Sequence, residues 1–438
     1  MEILIKISQL LLSLSILIIL HEFGHFIFAK IFKTRVEKFY LFFNPWFSLY
    51  KKKIGETIFG IGWIPLGGYV KISGMIDESL DKEQLQSEPQ PYEFRAKPSW
   101  QRLLIMVGGV LLNFVLALLI YIMVLFAWGE QYIPLAKMEH GIVPDSTAEL
   151  IGFKAGDRIL GIDGKPIERF QEIISTIILN NAQSVEVIRG NDSISIEIPE
   201  WVTQRVVKNN DILFSPRLKM IVGGFSENSP AQNAGLKEND HILMVDSIPT
   251  PYLDLMIPTL EERKNQRVQL TVKRDNDTLL FDVVVSENGK IGVYADMAAS
   301  IPLATSNYGF FESIPAGIAK GFKTANDYLK QLKLIFSPKT KAYESLGGFI
   351  TIGKIFPGTW DWQHFWNLTA FLSIMLAILN LLPIPALDGG HVMFLLYEMI
   401  SGRKPSEKFM EYAQIAGMIF LLLLIIYANG NDIIRLFR

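Results

Sequence analysis

Two histidines and a glutamate stand at a spacing that suits a hydrolytic metal site. The stretch LIILHEFGHFIFAK, from Leu17 to Lys30, contains His21, Glu22 and His25 inside an otherwise apolar run. On an α-helix, residues four apart lie one turn apart on the same face, so both imidazoles can bind one Zn²⁺ while Glu22 lies beside it as a base. The spacing therefore indicates metal-dependent peptide hydrolysis.

A simpler interpretation makes these three residues ordinary hydrogen-bonded polar groups in a helix interior. Their surroundings are apolar enough to lie in a membrane, where each ionisable side chain costs about 2.5–3.5 kcal/mol. Three such groups in one segment without a function would be unusual, so the metal site is the favoured interpretation.

The composition indicates a membrane part and a water-soluble part. Of the 438 residues, 50% are hydrophobic and 20% are charged, and the mean hydropathy is +0.26. These values are too apolar for a typical soluble enzyme and too charged for a purely membranous protein. The net charge of −2 gives no reason to expect nucleic acid as a partner. Because the chain has no cysteine, any zinc must be bound by His, Asp or Glu.

Four apolar runs predict four transmembrane helices. They cover about Ile7 to Phe32, Leu103 to Trp128, Phe365 to Leu387 and Ala413 to Ala428. Basic residues stand at one end of the first, second and fourth runs: Lys30, Lys33, Arg35 and Lys38, then Arg102, then Arg403, Lys404 and Lys408. Since Lys and Arg favour the cytoplasmic side, both termini are expected outside the cytoplasm and the active site toward it.

The segment between the first two runs predicts a β-hairpin. In GIGWIPLGGYVKISG, Gly60 to Gly74, aromatic and β-branched residues alternate around Pro65 to Gly68, which is typical of a loop between two short strands. A surface hairpin without a function explains this pattern equally well. Residues 76–98 are polar and contain proline, so they predict an irregular loop.

The second apolar run contains small and polar residues at depth. Gly108 and Gly109 permit close helix contact, and Asn113 follows Gly109 by one turn. Helix packing alone would explain the glycines. The amide of Asn113 needs a partner in hydrocarbon, and it is therefore a candidate site residue.

The region from about Gln131 to Pro302 contains a repeat. Nine residues recur 83 positions later, beginning with Ser146 and Ser229 and ending with Pro166 and Pro249. A constant offset predicts two tandem copies of one domain. After this repeat, Tyr308 to Phe336 shows helical spacing of apolar residues between lysines, which predicts amphipathic helices lying on the membrane or against the repeat.

The third apolar run ends in NLLPIPALDGGH, Asn380 to His391. Pro383 and Pro385 must break the helix, which a membrane tolerates only where the backbone is buried in protein or faces a polar cavity. Asp388 follows closely, and its carboxylate and the imidazole of His391 are both candidates for a third metal ligand. A helix that simply ends at the surface would explain the prolines and glycines, but not the polar residues beside them.

These motifs resemble known families. STAELIGFKAGDRILGIDGKPI and SPAQNAGLKENDHILMVDSIPT resemble the helix, turn and strand of PDZ domains, although Asn239 and Ser247 replace Gly156 and Gly164 in the second copy. HEFGH, GVLLN, the two PDZ-like copies and NLLPIPALDGG, in this order, resemble the site-2 protease family of intramembrane zinc metalloproteases, in particular its bacterial regulator of sigma-E protease group. The resemblance covers essentially the whole chain.

The resemblance implies a set of roles for the site residues. One Zn²⁺ per chain would be bound by His21, His25 and Asp388, with Glu22 as the catalytic base. Substrate would be held by Asn380, by Asn113 and by the hairpin residues, which are Gly67, Gly68 and Tyr69. The substrates would be single-pass membrane proteins, such as an anti-sigma factor or signal-peptide remnants, cut within their transmembrane segments. The PDZ-like pair would gate access to the site.

The expected fold is a polytopic α-helical membrane protein with four transmembrane helices, a membrane-associated β-hairpin and two tandem PDZ domains of α+β type. Its expected segments are 1–38 (first helix), 39–100 (hairpin loop), 101–130 (second helix), 131–217 and 218–302 (PDZ domains), 303–364 (connector), 365–397 (third helix) and 398–438 (fourth helix and tail). It would lie in the lipid bilayer of a bacterial cytoplasmic membrane, with the PDZ pair outside.

Two other functions are compatible with parts of the sequence. One is a membrane PDZ scaffold with a structural or inactive zinc site, which the presence of Glu22 disfavours because a structural site needs no base. The other is an ion transporter using intramembrane His and Asp. The membrane runs show no inverted repeat, which disfavours it.

Overall fold

The computed structural model describes residues 1–75, 88–338 and 340–437. Within these residues the chain forms thirteen α-helices and eighteen β-strands. The helices are α1 (Glu2–Ile31), α2 (Ser99–Trp128), α3 (Ser146–Leu150), α4 (Glu172–Asn180), α5 (Trp201–Asn209), α6 (Pro230–Asn233), α7 (Leu253–Glu261), α8 (Met297–Ser300), α9 (Phe310–Ile335), α10 (Phe349–Ile355), α11 (Trp362–Leu381), α12 (Asp388–Ser401) and α13 (Glu407–Leu436).

The strands belong to six small sheets. They are β1 (Val36–Phe43), β2 (Tyr50–Ile54), β3 (Thr57–Ile61), β4 (Ile64–Ile72), β5 (Glu130–Tyr132), β6 (Ile142–Pro144), β7 (Arg158–Ile162), β8 (Lys165–Pro166), β9 (Ser184–Arg189), β10 (Asp192–Glu197), β11 (Phe214–Pro216), β12 (Val222–Phe225), β13 (His241–Val245), β14 (Ile248–Pro249), β15 (Arg267–Arg274), β16 (Asp277–Val284), β17 (Val293–Ala295) and β18 (Ala304–Ser306).

The chain divides into two compact units, each described by itself. The membrane unit consists of Met1–Gly129, Asn307–Lys333 and Tyr343–Arg438. The insert unit consists of Glu130–Ser306 and Leu334–Ala342.

In the described part of the membrane unit, four helices are long and apolar enough to cross a bilayer. They are Glu2–Ile31, Ser99–Trp128, Trp362–Leu381 and Lys408–Leu436. They lie at the four predicted runs, but the first, second and fourth are longer than predicted because their polar ends continue the helix. The third was predicted to reach Leu387 and instead ends at Leu381, since Pro383 cannot continue the hydrogen-bonding pattern.

The first two membrane helices touch through glycines. A Cβ atom on Gly24 of α1 would overlap the carbonyl oxygen of Gly108 on α2. A Cβ on Gly109 would lie 2.5 Å from Nε2 of His25 and 2.7 Å from Cε1 of His21. The absence of side chains at these positions therefore brings α2 directly against the histidine face of α1.

The predicted β-hairpin at Gly60–Gly74 is wrong. The strands form one sheet in the order β2-β3-β1-β4, in which β1 lies between β3 and β4, parallel to β3 and antiparallel to β4. Pro65 to Gly68 lie inside β4 rather than in a loop. Proline is tolerated there because β4 is an edge strand whose register with β1 is irregular opposite this residue, between Leu41 and Phe43.

The loop predicted at 76–98 falls partly on residues 76–87, which lie outside the described residues. Its described part contains a short 3₁₀ turn at Phe94–Ala96. The amphipathic segment predicted at Tyr308–Phe336 forms one helix, α9. Near its end, Leu334 packs against the core of the first repeat segment, as one of the two expected placements predicted. Cβ atoms on Gly317 and Gly321 would contact Ile122 and Leu118 of α2, so α9 packs on a membrane helix through two glycines four residues apart.

In the insert unit, residues 131–217 and 218–302 each contain a four-stranded sheet, and the two sheets have equivalent strand orders. Their strand orders are β10-β9-β7-β8 and β14-β13-β15-β16. β13 and β14 begin 83 residues after β7 and β8, at 241 and 248 rather than 158 and 165. Each sheet covers its own core of buried apolar residues.

A buried aspartate holds the same turn in both segments. Asp157 accepts hydrogen bonds from Arg189 at 2.7 and 2.8 Å, and Asp240 accepts two from Arg274 at 2.7 Å. Asn239 has φ +70° where Gly156 has φ +94°, so the second segment keeps this turn without glycine. Asparagine tolerates this left-handed backbone better than most residues do.

Candidate metal centre

Helix α1 brings the two motif histidines onto one buried face. Nε2 of His21 and Nε2 of His25 lie 3.3 Å apart, and the ring centroids are separated by 4.8 Å. Both side chains are buried. The i, i+4 spacing thus produces the pair of imidazoles that the sequence predicted.

The third group comes from the break after α11. Ala386 adopts φ +85° in this break, and Asp388 is the first residue of α12. Its Oδ2 atom lies 3.2 Å from Nε2 of His21 and 3.4 Å from Nε2 of His25. Among the described residues, Asp388 rather than His391 completes this group of three possible ligands.

The geometry of these three atoms fits a tetrahedral zinc ion. Bonds of about 2.0–2.1 Å to nitrogen and oxygen give a tetrahedron with edges of about 3.3–3.4 Å. The observed separations are 3.2, 3.3 and 3.4 Å. Moreover, Oδ2 of Asp388 is buried beside the two imidazole nitrogens, and no hydrogen bond of suitable geometry reaches it from the described residues. A cation at the centre of the triangle would satisfy this orphaned oxygen.

Helix α2 contacts the Nδ1 atoms of both histidines. Nδ1 of His25 lies 2.9 Å from the carbonyl oxygen of Ile105, and Nδ1 of His21 lies 3.4 Å from Nδ2 of Asn113. Asn113 is fully buried and lies outside the set of residues that line the site cavity. The structure therefore places Asn113 beside His21 and not in the cavity wall, and its predicted contact with substrate stays a prediction.

Glu22 faces a cavity of about 690 Å³ between α1 and β4. The backbone N–H of Val70 on β4 donates a hydrogen bond to its carboxylate. A Cβ on Gly68 would lie 3.4 Å from Cγ of Glu22 and 2.7 Å from Ile18. The glycine therefore allows the strand to approach Glu22 closely.

The other predicted substrate residues line the same cavity. Gly67, Gly68 and Tyr69 form its β4 wall, and Asn380 at the end of α11 places Nδ2 3.3 Å from Nε2 of His21. Sequence reasoning did not predict Val70, Ile105 or the cavity residues Lys38, Phe349 and Gln414. Val70 and Ile105 act through backbone groups, which leave no signal in residue type.

Helix α12, which carries Asp388, is fixed to α2 by an ion pair. Nη2 of Arg102 lies 2.5 Å from Oε1 of Glu398, and both side chains are largely buried. A Cβ on Gly390 would lie 2.7 Å from Cα of Pro385, so the start of α12 folds closely onto the proline break. These contacts hold the aspartate in place beside the histidines.

Comparison with known proteins, like the geometry of the site, indicates a zinc metalloprotease. The family model for peptidase family M50 matches residues 9–424. The chain is 28% identical to the regulator of sigma E protease of Haemophilus influenzae, over the full length of both chains. It is 27% identical to the regulator of sigma-E protease of Escherichia coli K12, over 98% of each chain.

A protein named as a zinc metalloprotease in Vibrio cholerae is 27% identical over 99% of this chain and the whole of that one. These matches confirm the family, the enzyme class and the zinc cofactor that the motifs predicted. The chain therefore belongs to peptidase family M50 and is a zinc-dependent metalloprotease of the site-2 protease type.

Proposed function

We propose that His21, His25 and Asp388 bind one Zn²⁺ and that Glu22 is the catalytic base of an intramembrane endopeptidase. The observation that carries this assignment is the triangle of ligand atoms, with edges of 3.2–3.4 Å. Two histidines and one carboxylate leave a fourth position open, which is typical of catalytic rather than structural zinc sites. Glu22 adjoins His21 in sequence and faces the cavity.

When held by these three residues, zinc would supply a Lewis acid and would lower the pKa of a water molecule toward about 7. Glu22 takes a proton from the attacking water and donates it to the leaving amine. The N–H of Val70 orients the Glu22 carboxylate for this task. Asn380, 3.3 Å from Nε2 of His21, is placed to donate its amide N–H to the carbonyl oxygen of the scissile bond.

The substrate in this proposal is a transmembrane segment that must first unwind. Its amide groups then need partners, because water is scarce at this depth. In β4, Gly68 and Val70 are two residues apart and direct their N–H and C=O groups to the same side, away from β1 and toward Glu22. An extended substrate added to this edge would satisfy its own backbone groups beside the base.

The insert unit in this proposal is a PDZ pair outside the cytoplasm that excludes untrimmed substrates. The matching sheets and the constant offset support two copies of one domain. The segments also bind each other, since Arg217 donates three hydrogen bonds of 2.9–3.1 Å to Asp254 and stacks on Tyr252. The enzyme would lie in a bacterial inner membrane and cut single-pass proteins such as anti-sigma factors or signal-peptide remnants.

Metal analysis of the purified enzyme tests the ligand set. We expect His21→Ala, His25→Ala and Asp388→Ala each to lose bound zinc, while His391→Ala keeps about one ion per chain. His391 is the matched control because it lines the same cavity but is not in the group of three. Full zinc content in the Asp388 variant together with loss in the His391 variant would overturn the assignment.

A further inference from the structure

We infer that Asn113 is a positioning residue for His21, which it holds through the amide oxygen. This inference rests on the proposed role of His21 as a zinc ligand. A histidine that binds metal through Nε2 carries its proton on Nδ1, and that N–H needs an acceptor. The group facing Nδ1 of His21 is the amide of Asn113, 3.4 Å away.

For His25, a backbone group provides the acceptor that the Nδ1 proton needs. Its Nδ1 atom lies 2.9 Å from the carbonyl oxygen of Ile105, which can only accept a hydrogen bond. Ile105, Gly109 and Asn113 lie one turn apart on α2 and face the two imidazoles in sequence. Helix α2 thus provides an acceptor for His25, room for both rings at Gly109, and the Asn113 amide for His21.

The orientation of the Asn113 amide follows from the state of His21. Nδ2 faces the ring in the structure, and Oδ1 is buried without a hydrogen bond to any described residue. A half-turn about χ2 exchanges the two atoms and barely changes the packing. Either orientation leaves one polar atom of the amide without a partner among the described residues, so the proton on Nδ1 of His21 determines the orientation. When Nε2 binds metal, only Oδ1 can accept the proton on Nδ1.

The surroundings fix the position of the amide without fixing its orientation. Asn113 is 0% exposed, so water does not compete for the ring. Oγ of Ser373 on α11 donates a 2.7 Å hydrogen bond to the backbone carbonyl oxygen of Asn113. This bond connects the Asn113 turn of α2 to α11. Because Asn113 is fully buried and lies outside the cavity wall, we infer that it acts on the zinc site through His21 rather than on substrate.

Zinc affinity measured by competition with a chelator tests the inference on the full-length enzyme in detergent. We expect Asn113→Leu to bind zinc about 10–100-fold more weakly, which is the usual cost of losing such a partner. Asn113→Asp keeps an acceptor oxygen and should recover most of the affinity. Gln9→Leu, which removes another fully buried amide from the membrane unit, is the matched control and should bind zinc normally.

Cobalt substitution gives a second measurement that does not depend on activity. The visible spectrum of Co²⁺ should change in Asn113→Leu and resemble the native spectrum in Asn113→Asp; Asn113→Ala replaces the leucine variant if that protein does not fold. Native zinc affinity and a native cobalt spectrum in both the leucine and alanine variants would overturn the inference. If His21→Ala also kept its zinc, the proposed ligand set itself would fail, and the two failures are therefore distinguishable.

Discussion

Gly24 of α1 and Gly108 of α2 meet backbone to backbone, because a Cβ on Gly24 would overlap the carbonyl oxygen of Gly108. Gly24 lies between the two histidines in the sequence, and Gly108 precedes the residue that makes room for their rings. The zinc site therefore depends on a helix contact that only glycine permits. The histidines and the glycines must therefore be spaced so that both lie where α1 and α2 meet.

Replacing Gly24 by alanine should separate these helices. Since the nearest obstacle is backbone rather than a flexible side chain, we expect a loss of about 1–3 kcal/mol of stability and weaker zinc binding. Thermal unfolding and zinc content measure both effects. Gly430→Ala is the control, because a Cβ at that position of α13 would lie more than 4 Å from any other described part of the chain, apart from the helix's own adjacent backbone. Equal behaviour of the two variants would contradict a required close contact.

Replacing Glu22 by glutamine should separate metal binding from catalysis. The amide cannot accept the proton of the attacking water, so cleavage of a reporter transmembrane segment should fall by about 10²–10⁴-fold, while zinc content stays unchanged. Turnover assays and metal analysis on the same preparation measure the two effects. Appreciable cleavage by Glu22→Gln would remove Glu22 from the mechanism.

The local parts of the site could be predicted from sequence, whereas its long-range parts could not. The meeting of His21 and His25 depends on one helical turn, and the break at Pro383 and Pro385 on the chemistry of proline. The choice of Asp388 over His391 needed either a family resemblance or the structure. The supporting acceptor at Ile105 is a backbone carbonyl, which every residue type carries.

The sheet beside the site is a second long-range feature that the sequence alone does not predict. Pro65 and the neighbouring glycines were interpreted as a turn because these residues usually interrupt strands. Their actual place in β4 depends on β1, which pairs with β4 on one side only and in an irregular register between Leu41 and Phe43, opposite Pro65. Pairing of distant strands is set by packing in the whole unit, and local residue preferences do not specify it.

The Asp240–Arg274 pair should make the insert unit sensitive to acid. Burial alone would raise the pKa of Asp240, but hydrogen bonds from Arg274 and from the Lys237 N–H outweigh it and hold the pKa below its usual value. A carboxyl whose pKa is lower in the folded state contributes stability above its unfolded pKa of about 3.9. That contribution is lost as the pH falls through the folded pKa.

Asp240→Asn should therefore destabilise the insert unit by about 1.5–3 kcal/mol at pH 7, and the difference from the native protein should shrink as the pH falls below about 4. Hydrogen exchange of amides in β13 and β15 across this pH range measures the effect in the full-length protein. Asp277→Asn, at an exposed position of β16, is the control. A constant difference at all pH values would exclude the proposed linkage.

The insert unit can be removed at a defined point to test its proposed gating role. β5 and β18 pair antiparallel, with Tyr132 opposite Ala304. A two-residue Asn-Gly turn joining these residues would close a hairpin with the strand twist preserved, in place of residues 133–303. The proposed zinc ligands and Glu22 all lie in the membrane unit, so zinc content should stay unchanged.

If the insert unit is a filter, this deletion should allow full-length precursors to be cut, because it removes exclusion rather than chemistry. If the insert unit instead recruits substrate by binding a new C-terminus, the deletion should slow cleavage of the trimmed substrate. The contacts of Arg217 with Asp254 and Tyr252 join the two segments and are compatible with both roles, so the two substrates have to be compared directly. The same deletion carrying Glu22→Gln shows whether any new cleavage comes from this site. Slower cleavage of trimmed substrate, with no gain on full-length precursor, would rule out the filter.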